Sequence, residues 1–129
     1  MLSERSKGKG MRRVEKPWGH EVIWAETDRY AGKLLHIEAG HALSLQYHEH
    51  KAESIYVLEG RLHLHHAPSV DDEIIVEVLE SGTAFDIIPG TVHRFEARES
   101  VTLLEVSTPE LDDVVRLDDR YGRKGTSEA

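Results

Sequence analysis

Apolar and polar residues alternate along this chain in short runs, and no run keeps a helical period for three turns. HEVIW, KLLHIEA, ALSLQYH, SIYVLEG, RLHLHH, EIIVEVLE, TAFDII, HRFEA and VTLLEVS each have strand length and strand alternation. Gly, Pro, Asp or Ser stand at their ends. Turns are expected at Ala39-Gly40, Glu59-Gly60, Pro68 to Asp72, Ser81-Gly82 and Pro89-Gly90. DDVVRLDD is compatible with one helical turn or a last strand. Many short strands at even spacing predict an all-β sandwich or barrel in a single domain over residues 14–123. Residues 1–13 are charged, contain Gly and lack a period, so they read as a flexible arm, and 124–129 as a flexible tail. Met11 is a candidate natural start, with the first ten residues an extension.

Length and charge narrow the function. The chain has 129 residues, room for one core and not two. Its formal charge of −8, with no basic block, argues against nucleic acid or an anionic membrane as partner. The absence of cysteine removes disulfides and thiol chemistry and fits a reducing, cytoplasmic setting. No apolar stretch approaches a membrane span, and the N-terminus does not read as a signal peptide. Nine histidines are many for this length, and their positions decide what they mean.

QYHEHKAE, residues 46–53, carries the densest ligand chemistry. On a strand, Gln46, His48 and His50 share one face. Glu53 shares parity with Ile55 and Val57, which should enter the core. A carboxylate facing the core needs a partner, and Gln46 and His48 could supply one, or all three could share a cation. His93, after the Pro89-Gly90 turn, shares a face with Phe95 and should be buried. Parity alone leaves His50 open as a further ligand.

The spacing Gly40, Gln46-Tyr47-His48, Glu53, Gly60 resembles the first motif of the cupin superfamily. Gly82 and IIPGTVH resemble its second. EKPWGHEVIW, GHALSLQYHEHKAESIYVLEG, IPGTVHRFEA and DDVVRLDDRYGR together resemble the mannose-6-phosphate isomerase type II domain. That domain is usually the C-terminal part of a bifunctional mannose-1-phosphate guanylyltransferase. The resemblance implies a double-stranded β-helix, or jelly-roll barrel. It also implies a divalent metal (Zn, Mn, Fe, Co or Ni) on Gln46, His48, Glu53 and His93, with His50 not a ligand. The nucleotide-sugar half is absent, so no nucleotidyl transfer is implied.

The activity implied is aldose–ketose isomerisation of a sugar phosphate, mannose 6-phosphate and fructose 6-phosphate in type. His50, Glu105 and Glu53 are the candidate bases. Lys33 and one of Arg116, Arg120 and Arg123 are the candidates for phosphate, with Arg94 disfavoured because it lies on the face opposite His93. Three positions depart from the resembled pattern: Lys51 for arginine, Ser54 for histidine and Ala97 for asparagine. They suggest an altered substrate shell. Trp18 and Trp24 read as core or interface residues. Two other readings stand beside the isomerase: a non-catalytic metal cupin that binds a small sugar or acid, and a metal-dependent oxygenase. A homodimer is the expected assembly.

Overall fold

The computed structural model describes residues 10–110 and 112–123, and these form twelve strands and no helix. The expected arm and tail lie mostly outside the described residues. The arm's last two residues, Arg12 and Arg13, are part of the first strand instead. That strand, β1 (Arg12–Lys16), is highly charged, which hides it from a hydrophobicity reading. It pairs antiparallel with β2 (Gly19–Glu26).

The remaining strands follow the predicted runs. They are β3 (Ala31–Ile37), β4 (His41–Ala42), β5 (Leu45–Tyr47), β6 (Glu53–Glu59), β7 (Arg61–Ala67), β8 (Ile75–Glu80), β9 (Ala84–Ile87), β10 (Val92–Ala97), β11 (Val101–Ser107) and β12 (Val115–Asp118). ALSLQYH is broken into β4 and β5, both paired with β10. DDVVRLDD resolves into a strand, β12, paired with β5.

Two antiparallel sheets face each other. One runs β1-β2-β3-β11-β6-β9 and the other β12-β5-β10-β7-β8, with β4 beside β10. Every strand pairing is antiparallel, so alternate residues enter the space between the sheets. Trp18, Leu35, Ile37, Leu43, Ile55, Val57, Leu62, Leu64, Phe95 and Leu103 fill it. Trp18 is fully buried there. Trp24 is instead 45% exposed and lies flat over Gly32, where a Cβ would meet its ring at 2.6 Å.

The apolar filling is not uniform. Strands β6 and β11 put Ile55, Val57, Val101 and Leu103 into the core, then end in Glu53, Glu105 and Ser107, which face the same way. One end of the barrel is therefore hydrocarbon and the other polar. The turns at the apolar end are tight: Gly60 has φ +87°, and a Cβ there would come within 2.6 Å of the Ser100 carbonyl. At the polar end Gly90, φ +88°, donates its N–H to the carbonyl of His48 at 2.8 Å. That bond joins the two segments that carry the histidines.

Candidate metal centre

His48 follows the end of β5, Glu53 opens β6 and His93 lies at the start of β10. Gln46 on β5 is the register partner of His93. All four are buried, none more than 5% exposed. The Glu53 carboxylate stands between the imidazoles, with Oε2 3.4 Å from His48 Nε2 and Oε1 3.7 Å from His93 Nε2. One ligand atom from each of His48, Glu53 and His93 lies within 4.8 Å of the others.

The outer nitrogens of both rings are committed. His48 Nδ1 donates to the Asp113 carbonyl at 2.5 Å, and His93 Nδ1 donates to the Thr91 carbonyl at 2.9 Å. A carbonyl only accepts, so Nδ1 carries a proton in each ring, and in the neutral form Nε2 keeps its lone pair. Both Nε2 atoms are buried and have no hydrogen-bond partner. Two imidazole lone pairs, a carboxylate and the Gln46 amide, whose Oε1 also accepts from Ser44 Oγ at 2.9 Å, make a donor set suited to a borderline divalent cation. The residues present therefore fit the metal that the sequence implies.

Asp113 organises the same segment. Its carboxylate accepts the backbone N–H groups of Glu49 (3.1 Å), His50 (2.7 Å) and Lys51 (2.9 Å). Burial alone would raise its pKa, but these three donors hold it below the ordinary aspartate value.

Next to the cluster lies a small, partly open cavity of about 10 Å³, lined in part by Gln46, His48, Glu53, Lys33 and Glu105. Glu21 and Lys51 line it too; Glu21 was not singled out from the sequence, and Lys51 was named there only as a departure from the resembled substrate shell. Glu21 shared parity with Ile23 on HEVIW, a readable signal, whereas Lys51 sits in the link between β5 and β6, where strand parity does not apply. The Lys51 ammonium is 3.0 Å from Glu53 Oε2 and 3.4 Å from Glu105 Oε2. Lys33 approaches Glu21 Oε2 at 3.5 Å and is the register partner of Glu105.

These contacts set the charges. Burial opposes the Lys51 charge, but Glu105 and Glu53 outweigh it and hold the ammonium above the ordinary lysine pKa. Burial would raise Glu53, yet the Lys51 ammonium beside it is the largest of the groups that hold it below the usual carboxylate range. Burial and the nearby Glu53 push Glu105 up, against the pull of Lys51 and Lys33. Burial pushes His93 down to about 4, with Glu53 opposing, so its ring is neutral near pH 7.

His50 is not brought to this group: its side chain is exposed and lines no part of the cavity. Of the expected phosphate ligands, only Lys33 lines the cavity. Arg94 spans the seam to Leu43 and Asp118, Arg123 pairs with Asp119, and Arg120 approaches Glu96 at 3.6 Å. The altered shell also contracts. Ser54 faces outward and donates to Asp86 at 2.6 Å, and Ala97 lies in the apolar core, so Lys51 is the one departure that lines the cavity.

Comparison with known proteins gives consistent matches. The family model described as mannose-6-phosphate isomerase C-terminal matches residues 3–119. A mannose-1-phosphate guanylyltransferase of Escherichia coli K12 is 35% identical over 117 residues, covering 87% of this chain and 23% of that protein. The chain thus spans about a quarter of the length of that relative. In three dimensions it is similar to the capsular polysaccharide assembling protein CapF of Staphylococcus aureus, with a TM-score of 0.76 and 19% identity over 91% of this chain and 34% of that one. An RmlC-like cupin from Shewanella frigidimarina matches with a TM-score of 0.69 and 18% identity, over 87% of this chain and 96% of that one.

Proposed function

The chain is a cupin that belongs to the mannose-6-phosphate isomerase C-terminal family, and on that premise we propose that it is a divalent-metal isomerase of a sugar phosphate, with mannose 6-phosphate and fructose 6-phosphate as the pair to test. One observation carries the proposal. Three metal-type donors gather, and two of them, His48 and Glu53, line the same cavity as Glu105, a buried carboxyl whose pKa is raised.

In this reading His48, His93, Glu53 and Gln46 hold the cation. When bound, it supplies positive charge for an oxygen of the sugar carbonyl or hydroxyl. Glu105 is the acid–base group, since a carboxyl above its ordinary range accepts and returns protons more readily near neutral pH. Its Oε2 is buried and faces the Lys51 ammonium. It takes the proton from the carbon beside the carbonyl, and the C–H electrons become the C=C bond of an enediol. The C=O pair moves onto the carbonyl oxygen, which takes the proton of the neighbouring hydroxyl. Glu105 then returns its proton to the carbon where the carbonyl had been, and the new carbonyl forms at the adjacent carbon. Lys51, 3.4 Å away, and Lys33 across the β3–β11 pair supply cations for the oxygens that gain charge. His50 has no proton to move in this scheme.

A cavity of about 10 Å³ has room for about one water, so a hexose phosphate needs more space than these side chains leave. A groove of about 510 Å³ lies beside it and shares Glu53, with Arg29, Tyr30 and Asp86 among its walls. The second reading, a metal cupin that binds a small sugar or acid without turnover, uses the same donor cluster.

Proton NMR in deuterated water separates the two. The protein loaded with manganese, cobalt or zinc and given mannose 6-phosphate should incorporate deuterium at the carbon next to the carbonyl. Absence of exchange with every divalent metal tried would remove the isomerase and leave the binding module.

A further inference from the structure

The Glu53 carboxylate already has a cation. Lys51 is 4% exposed, and its ammonium lies 3.0 Å from Glu53 Oε2, the same oxygen that faces His48 Nε2 at 3.4 Å. A divalent ion held by His48, Glu53 and His93 would share that carboxylate with a buried like charge. At such separations, away from bulk water, like charges repel strongly. Among the described residues the ammonium has one other acceptor in reach, Glu105 Oε2 at 3.4 Å. Glu105 is 4% exposed and does not belong to the donor cluster.

We propose that Lys51 is a positioning residue that competes with the divalent cation for Glu53, and that Glu105 is the carboxylate that receives the ammonium when the cation binds. The proposal rests on the metal reading of the cluster. It adds that occupancy is set by an exchange: Lys51 gives up Glu53 and keeps Glu105. No proton is lost and no bond is made beyond this exchange of ion pairs. Lysine suits the task because its ammonium is a single charge on a flexible stem, free to turn from one carboxylate to the other.

The experiment is a zinc and a manganese titration against a chromophoric chelator, on purified full-length protein. Lys51→Met should bind each metal at least tenfold tighter than wild type, since the competitor is gone. Glu105→Gln should bind at least tenfold weaker, because the ammonium then has no second anion to accept it. The double variant should resemble Lys51→Met alone, a non-additivity that marks the two residues as one device. Lys51→Arg, which keeps the charge, should stay closer to wild type than Lys51→Met. It also keeps the test open if Lys51→Met folds poorly, and Glu105→Gln does so independently. Unchanged or weaker binding by Lys51→Met would overturn the proposal and make Lys51 an orienting partner of Glu53. A separate failure is visible in the same titration: if His48→Ala binds as well as wild type, the metal reading is wrong, whatever Lys51 does.

Discussion

His48 is tied to Asp113, sixty-five positions along the chain, by its Nδ1–H bond to the Asp113 carbonyl. The same aspartate's carboxylate gathers the three N–H groups that follow His48. One residue thereby fixes both the tautomer of a candidate ligand and the path of the link to Glu53. Replacing Asp113 with Ala should leave those three donors without their acceptor and cost about 1–3 kcal/mol of stability, read by denaturant unfolding. Metal affinity should fall about 10- to 100-fold with it. Intact metal binding in Asp113→Ala would mean that the link holds its shape unaided.

The donor cluster should behave as one thermodynamic unit. Metal at a hundredfold excess over its dissociation constant should add about 2.7 kcal/mol to the stability of the wild-type protein. His48→Ala or His93→Ala should abolish most of that gain in thermal melts. His50→Ala should keep it, because that side chain faces solvent.

Gln46→His tests the fourth position. Imidazole is the better ligand for borderline metals than an amide oxygen, so zinc affinity should hold or rise in this variant. Loss of binding would place the Gln46 side chain outside the coordination sphere and leave it as the partner of Ser44.

Acid should weaken the metal-free protein through His93. Its folded pKa is about 4, against an ordinary histidine near 6.5 in the unfolded chain. Between these values the unfolded state binds the proton and the folded state does not. Stability is therefore lost as pH falls from about 6.5 towards 4, by up to one proton's worth of slope. Glu105, shifted the other way, is favoured folded when protonated and acts with the opposite sign above the ordinary glutamate range. The comparison of wild type with His93→Gln isolates the histidine. Urea midpoints at several pH values should show a shallower acid slope in the variant.

The strands and the glycine turns were legible because alternation and positive φ are local properties. Every predicted run holds at least one strand, and Gly40, Gly60, Gly82 and Gly90 all have positive φ. Strand β1 was missed because its residues are mostly charged and its pairing, not its hydrophobicity, makes it a strand. The burial of Glu53 and His93 followed from their parity with Ile55 and Phe95. The inward turn of Lys51 did not, since the link between β5 and β6 has no period to read. Asp113 was hidden for a different reason: its work is done through backbone groups far along the chain, which leave no mark in the residue pattern.

The polar end of the barrel has a consequence for anyone selecting variants of this protein. Glu21, Lys33, Lys51, Glu53 and Glu105 occupy interior places that the apolar half gives to leucine and valine. Buried ion pairs often contribute less to stability than well-packed hydrocarbon of the same volume. A screen for heat resistance alone would therefore reward their joint replacement, and its winners would be sturdy barrels with nothing left to grip an ion or a sugar. Endurance and chemistry draw on the same few interior positions here, and selection for one has to be checked against the other.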